Sequence, residues 1–392
     1  MGAICLCLRL YVPDQPAAVT LFDLGGGKPL FDDAAFVQRL LDRCDRSWAP
    51  AIGQLAALAR RYPGKLRFAC WSSGRVLHLL HLHRPELLDA LRALGDAGAV
   101  EWLATPEEGS LAFAWDRKWM ISELDRQHSL LHRLLGAEPA VLALPGLAYL
   151  SPMGFLVHQL GYQGWLIGGA EQALHGRSPA RLYHPPHLPE LPLLPRHAAL
   201  SEDLEIRWGQ PGWEHGPLSA DRFRAWIPAG PDDLTTLVFG LHALGERWPA
   251  SGGIFDFWQQ WLELELNEGT QRFVLPSEAV RRTNSLAGPL EALDALAWSG
   301  LQAGLPAWRG NELQQAAFAA LADLRNAIWR LHDEALQDLW LRLSDADHLL
   351  WMADAPWRED EKLFSDCPFP GPHAAYLNFM NQLADLELRL PR

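Results

Sequence analysis

The sequence predicts an α/β chain, a parallel-stranded barrel over residues 1–275 followed by a helical domain over residues 276–392. Three observations predict it. Short apolar runs of strand length alternate with segments of helical spacing through the first two thirds of the chain, the pattern of parallel pairing with helices outside. Roughly seven such runs can be counted, enough for a barrel that closes incompletely. From about Leu286 the strand signals give way to long stretches of helical periodicity.

Taken in order, "AICLCLRLYV" reads as a first buried strand. "DAAFVQRLLDRCDRSWAPAIGQLAALARRYP" has helical apolar spacing with a break at Pro50, because proline lacks the amide hydrogen a helix interior needs. "LRFACW" is a second strand. "SSGRVLHLLHLHRPELLDALRALGDAG" opens on a serine cap and divides at Pro85 into two helical pieces. "AVEWLAT" is a third strand, "DRKWMISELDRQHSLLHRLLG" a helix, "AVLAL" a fourth strand, "MGFLVHQLGY" a helix and "GWLIGG" a fifth strand. "LEIRWG" near Leu204 reads as a sixth, Ala220 to Trp226 as a helix, and "LTTLVFGLHAL" as a seventh strand. The Pro-rich stretch 175–200 reads as an ordered excursion. "LAGPLEALDALAWSGL", "GNELQQAAFAALADLRNAIWRLHDEALQDLWLRL" and "HAAYLNFMNQLADLELRL" read as helices of a region packed on the barrel.

Composition narrows the function. The 392 residues are 49% hydrophobic and 21% charged, a globular balance. The formal net charge is −13, and no run of lysine or arginine forms the positive stripe that nucleic-acid backbones require. No apolar stretch escapes Pro, Gly or charge for long enough to span a bilayer. The start lacks a basic leader and a small-residue cleavage site, and Cys5, Cys7, Cys44, Cys70 and Cys367 are scattered. The expectation is a cytoplasmic protein with reduced, buried thiols. The 18 tryptophans can lie flat under sugar rings or fill a large core, and for any one of them the core is the commoner use.

Several segments, in a constant order over nearly the whole chain, resemble glycoside hydrolase family 57, especially its α-amylase-like branch. "FACWSSGRVLHLL" resembles the family's strand followed by "SG". "GAVEWLATPEEGSLA" is similar to its "G-x-VE-hydrophobic-L-x-E-T-Y-Y-H-S-L-A" region. "LSEDLEIRWGQPGWEHGPLSADRFRAWI" resembles "LSDDIAFRFS…W…PL-x-A-D…W", and "LVFGLHALGERW…GGIFDFW" resembles "MDYETFGEHQ…GIFEFL". Near the C-terminus "LSDADHLLWM" resembles "SDHFYYM", and "FSD…AAYLNFMNQLAD" resembles "FSD…AFINYMNVLSD". The resemblance implies a distorted (β/α)7 TIM-like barrel with a helical C-terminal region and retaining chemistry on α-glucans. That chemistry needs a nucleophilic carboxylate and an acid/base close together.

The resemblance also locates where those groups would stand. The nucleophile is the Glu of "P-x-V-F-R-N-T-E-L-I-Y". Here the segment is "PAVLALPGLAY", with Gly146 in the place of the Glu and Ala143, Leu144 and Pro145 in those of Arg, Asn and Thr. The acid/base is the Asp of "M-D-Y-E-T-F-G-E-H". Here the frame is "FGLHALGER", with Gly240 for the Asp, His242 for the Glu and Arg247 for the His. Gly245 and Glu246 match. The family's "H-Q-P" appears as Tyr11, Val12 and Pro13, its "Y-H-S-L" as Glu108, Gly109, Ser110 and Leu111, and a final Glu as Gly168. Glycine has no side chain to attack a carbon or move a proton, so the expectation is a chain that cannot run the family reaction.

Polar groups remain. Glu107 and Glu108 follow the third strand, Glu246 follows the seventh, Asp203 sits in the "LSEDLE" match, and Asp347 with His348 matches the family's "D-H". Three readings stay open. The first is a catalytically inactive relative that binds, regulates or partners in α-glucan or glycogen metabolism. The second is an active hydrolase or transferase using relocated carboxylates, Glu108 with Glu246 or Asp347. The third is a protein-interaction scaffold whose old pocket is filled by apolar side chains, in keeping with Tyr11, Leu144 and Pro145. The simpler reading of each carboxylate is a surface group or strand-end hydrogen bond, and of Asp347 with His348 a tie between the helical region and the barrel. No cofactor and no metal are expected. His78 and His81 share a helix face and His184 and His187 share a loop, but neither pair supplies a third ligand. The implied partners are an α-glucan or maltooligosaccharide, or a protein of glucan metabolism, with no nucleic acid and no membrane.

Overall fold

The computed structural model describes residues 2–169, 171–269, 271–282, 286–297, 305–354 and 366–391. They fall into two compact units, each drawn from separated stretches of chain. The first comprises Met1–Tyr11, Leu40–Glu107 and Ile121–Gly304; the second comprises Val12–Arg39, Glu108–Met120 and Leu305–Arg392. Among the described residues no helix is long and apolar enough to cross a membrane.

In the first unit, β1 (Gly2–Arg9), β2 (Phe68–Trp71) and β3 (Val100–Trp102) run parallel. So do β4 (Val141–Ala143), β5 (Gly164–Ile167) and, beyond β6 (Leu182–His184), β7 (Leu193–Pro195). β8 (Leu234–Gly240) lies along β1 from Ala3 to Arg9. Two single bridges, Ala104 to Leu142 and Arg196 to Thr236, join β3 to β4 and β7 to β8. Their hydrogen bonds are normal, 2.7 Å from the Ala143 amide to the Ala104 carbonyl and 2.8 Å from the His197 amide to the Thr236 carbonyl. The seven parallel strands β1, β2, β3, β4, β5, β7 and β8 therefore close into a barrel. It is distorted because two of its seams are one bridge long.

Every residue of β8 is buried, and β1 is buried as far as Leu8, as parallel strands covered on both faces must be. Alternate residues point into the barrel. Cys5, Cys7, Ala69, Trp71, Val141, Ala143, Leu166, Leu194, Leu234 and Val238 belong to one interior cluster. Small residues on β1, β2 and β4 leave room there for Trp71. Burial pushes the Cys70 thiol well above the usual range and Cys44 up to about 12, which makes both poor nucleophiles.

The helical spacing is realised with local adjustments. Helix Asp33–Arg43 passes through a π-turn, Cys44–Trp48, into helix Ala49–Arg61, which carries Pro50 in its first turn. Helices Gly74–His83 and Pro85–Asp96 divide where the proline predicts, and Ser73 caps the first by accepting from the Val76 amide. Helix Ala220–Trp226 has the predicted bounds and is capped by Ser219.

Two expectations are corrected. "LEIRWG" is not a strand: Ala198–Glu202 is α-helical and Asp203–Arg207 is a π-turn. The alternation of Leu204, Ile206 and Trp208 looks like strand period, but Leu200 and Leu204 are buried one helical turn apart. The missing barrel strand is β7, three residues inside the Pro-rich excursion, where Pro195 ends it. "LAGPLEALDALAWSGL" is not a helix either. Leu286–Pro289 forms a strand parallel to β6, and Leu296 bridges to Tyr149. Gly288 and Pro289 interrupt any helical run there. Residues 298–301 of that segment, and Phe364 and Ser365 of "FSD", lie outside the described residues.

The second unit is helical. Glu312–Leu331 is capped by Asn311 and Glu334–Leu343 by Asp333, followed by Ala346–Leu350 and Pro372–Leu388. Its core is aromatic: Trp119, Trp329 and Trp340 meet edge to face with centroids 4.7 to 5.3 Å apart. Arg342, buried, grips Asp14 through two bonds of 2.6 and 2.7 Å and lies over the Phe31 ring.

Candidate functional site

Barrel chemistry sits where parallel strands end. In the first unit those ends carry Tyr11 after β1, Glu107 after β3, Gly146 after β4, Gly168 after β5 and Gly240 at the end of β8, with His242 and Glu246 just beyond. Glu108, Asp347 and His348 belong to the second unit.

Gly146 occupies a tight turn, Pro145–Leu147, with φ 62° and ψ 16°. This is left-handed backbone, which costs a residue with a side chain about 1–2 kcal/mol. Leu147 follows with φ 51°. Its carbonyl accepts from the Gly168 amide at 2.8 Å, which ties the β4 turn to the end of β5. The turn makes Leu147 part of the barrel's interior cluster, with Trp71, Leu103, Ala143 and Leu166. An apolar plug therefore stands one residue beyond the position to which the resemblance assigns the nucleophile.

Gly240 has ordinary extended backbone, φ −72° and ψ 126°, and its constraint is space. A Cβ there would come within 2.3 Å of His242 Cε1 and 2.5 Å of His242 Nδ1, with Glu205 Oε1 at 3.3 Å. The imidazole of His242 fills the volume a side chain at 240 would use. The Gly240 amide donates to Glu205 Oε1 at 2.9 Å. Arg196, 2% exposed at the end of β7, holds the other oxygen of Glu205 at 3.6 Å and donates to the Val238 carbonyl at 3.1 Å.

The carboxylates around these strand ends are engaged. Arg43, 1% exposed, clasps Glu246 through two bonds, Nε to Oε2 at 2.6 Å and Nη2 to Oε1 at 2.8 Å, and donates to the Tyr11 carbonyl at 2.6 Å. Arg9 lies 3.8 Å above the Tyr11 ring. Glu107 accepts from Arg126. Asp203 pairs with Arg207 at 2.7 Å, and burial raises its carboxyl above the ordinary value against the pull of that guanidinium. A carboxylate held by two guanidinium bonds is fixed in orientation with both oxygens occupied, which suits a structural clamp better than a proton shuttle.

In the second unit Glu108 and Asp347 are both buried. The Asp347 amide donates to Asp345 at 3.0 Å. His348 packs among Phe31, Trp351 and Phe379 and sets Nε2 3.2 Å from the Arg342 carbonyl. Burial, partly opposed by Asp14, pulls its pKa down to about 4. The unfolded chain then takes up a proton below about pH 6.5 that the folded chain refuses until about pH 4. Stability is full above that window and falls as pH drops through it, by up to about 3 kcal/mol. Urea unfolding of the wild type between pH 7 and 4.5 is expected to show this slope, and H348Q to flatten it. Equal slopes would mean that His348 titrates alike in both states.

Among the residues weighed as metal ligands, His78 and His81 are exposed on helix Gly74–His83, and His184 turns Nδ1 toward the Pro185 carbonyl at 2.8 Å. Sequence reading missed Arg43, Arg196 and Glu205. Arg43 had a signal, since it stands on the apolar stripe Phe36, Leu40, Cys44 of its helix. Arg196 and Glu205 had none, because their partners are remote in sequence or lie in segments assigned to the wrong element.

A distorted seven-stranded parallel barrel, with a helical C-terminal region and guanidinium–carboxylate pairs at its strand ends, defines a (β/α)7-barrel protein. Residues 31–287, more than half of the chain, match the family Glycosyl hydrolase family 57. The chain belongs to that family. It is 23% identical over 312 residues to a "Putative alpha-amylase" of Methanocaldococcus jannaschii, covering 77% of this chain and 66% of the relative, just under two thirds of its length. Among solved structures it resembles a 4-alpha-glucanotransferase from Thermococcus litoralis, with TM-score 0.67 and 12% identity over 89% of this chain and 56% of that one. It also resembles a GH57-type branching enzyme from Pyrococcus horikoshii, with TM-score 0.67 and 13% identity over 92% of this chain and 87% of that one. At these identities the structural likeness is one of fold.

Proposed function

We propose that this chain is a catalytically silent member of its family that serves α-glucan metabolism by binding, as a regulatory or partner protein, and not by turnover. The observation that carries the reading is the joint state of the two strand ends: left-handed backbone at Gly146 with Leu147 turned into the barrel, and a side-chain volume at Gly240 taken by His242. Retaining hydrolysis needs two carboxyl groups about 5–5.5 Å apart. Neither of the assigned positions supplies one. Of the relocated pair Glu108 with Glu246 or Asp347, Glu246 is held by Arg43, and Glu107, which precedes Glu108, is held by Arg126. The names of the relatives, an amylase, a glucanotransferase and a branching enzyme, support an α-glucan or maltooligosaccharide as the ligand class.

The Leu147 plug favours a second reading, an interaction scaffold that no longer takes sugar. Isothermal titration of the full chain with maltoheptaose separates the two. Saturable binding at millimolar concentration or tighter is the expected result. Its absence, in a preparation shown to be folded, would leave the scaffold.

A further inference from the structure

The strand-end region of the first unit does not account for a second concavity in the same unit, at the opposite, N-terminal end of the barrel. It has a volume of about 550 Å³, within the range of small-molecule sites. Arg67 lies one residue before β2. Gln271–Phe273 forms a short strand beside Gly2–Ile4, the first residues of β1. Val274 and Leu266 contribute apolar lining.

The rim is cationic. Lys65, Arg67, Arg272, Arg281 and Arg282 line the cavity against two carboxylates, Glu265 and Glu278, in a chain whose net charge is −13. Both carboxylates already face a guanidinium. Glu278 pairs with Arg67 and also accepts from the Leu275 amide at 3.0 Å, and Glu265 has Arg224 at 3.9 Å. Arg282 donates to the Pro231 carbonyl at 3.2 Å, and Lys65 to the Leu266 carbonyl at 3.3 Å. These backbone carbonyls fix the two side chains at the cavity wall. Burial, reinforced by neighbouring Arg272 and opposed by Asp232, pulls the pKa of Arg282 below its usual value.

Cations gathered around one concavity repel each other, and a multiply charged anion between them relieves that repulsion. Guanidinium forks match the geometry of phosphate oxygens, and Arg272 and Arg281 are exposed at the rim where they can close on a ligand. We propose that this cavity is a binding site for a small phosphate ester, remote from the β4 and β8 strand ends and independent of whether the chain takes glucan.

Two sources share that chemistry, a sugar phosphate and a nucleotide. Calorimetric titration of the full chain with glucose 1-phosphate, ADP and inorganic phosphate at low ionic strength is the test. One of the two esters is expected to bind saturably at one site and more tightly than inorganic phosphate, and which of them does so names the source. Binding is expected to weaken as salt rises to about 0.15 M. R272A and R281A, both rim substitutions, are each expected to weaken it about tenfold, and R272E/R281E to abolish it, with K118A unchanged. Circular dichroism confirms that the variants fold. Absence of saturable binding by both esters, equal affinity for inorganic phosphate, or wild-type binding by folded R272E/R281E would each overturn the assignment.

Discussion

Incubated with maltooligosaccharides or glycogen, the purified protein is expected to release no reducing ends and form no transfer products above the enzyme-free rate. A retaining reaction without a nucleophile has no covalent intermediate, and one without an acid expels an alkoxide. Loss of acid/base assistance alone removes a factor of about 10²–10⁴. The stronger form of the prediction is that G146E/G240D does not restore activity. At 146 the backbone sits at φ 62°, where a glutamate would be strained and its neighbour Leu147 would still occupy the barrel interior. At 240 an aspartate would collide with His242. The double substitution adds two carboxyl groups but leaves the turn at 146 and the imidazole of His242 in place. Turnover by the wild type that is abolished by E205Q or E246Q would overturn this and move the chemistry to a relocated carboxylate.

The second large effect is expected at the Arg43–Glu246 clasp. E246A leaves a guanidinium that is 1% exposed facing a cavity in place of its carboxylate. Removing one partner of a buried ion pair costs about 3–5 kcal/mol. Because the Glu246 side chain is 22% exposed, water reaches the site and the lower end, about 3 kcal/mol, is expected. R43M/E246L removes both charges and should recover much of the loss, although the bond from Arg43 to the Tyr11 carbonyl goes with it. Urea unfolding of the two variants measures this. If E246A unfolds within about 0.5 kcal/mol of the wild type, the clasp is not structural and Glu246 is available for chemistry.

What could be read from the sequence was whatever has a local cause. Burial on both faces produces the continuous apolar runs of β1, β2 and β4. Ser73, Pro85 and Ser219 mark helix starts because a cap or a missing amide acts on its own turn. Those features, with the ordered motif frames, led to a parallel barrel and to the residues at its strand ends. The misreadings share a cause too. "LEIRWG" alternates like a strand, and period alone cannot separate a short strand from a buried helical turn. β7 is three residues long among prolines, too short for a pattern.

The sequence by itself determined the class of fold, the family frame and the residue types at 146 and 240, since each is written in a contiguous stretch. Only the tertiary structure decided what surrounds them: that Leu147 joins the barrel interior, that His242 fills the space beside Gly240, and that Arg43 and Arg196 hold Glu246 and Glu205. The physical reason is distance along the chain. Arg43 and Glu246 stand 203 positions apart in the sequence, and nothing in either residue's own neighbourhood records the other. A charge's role depends on its partner, and partners are chosen by the fold.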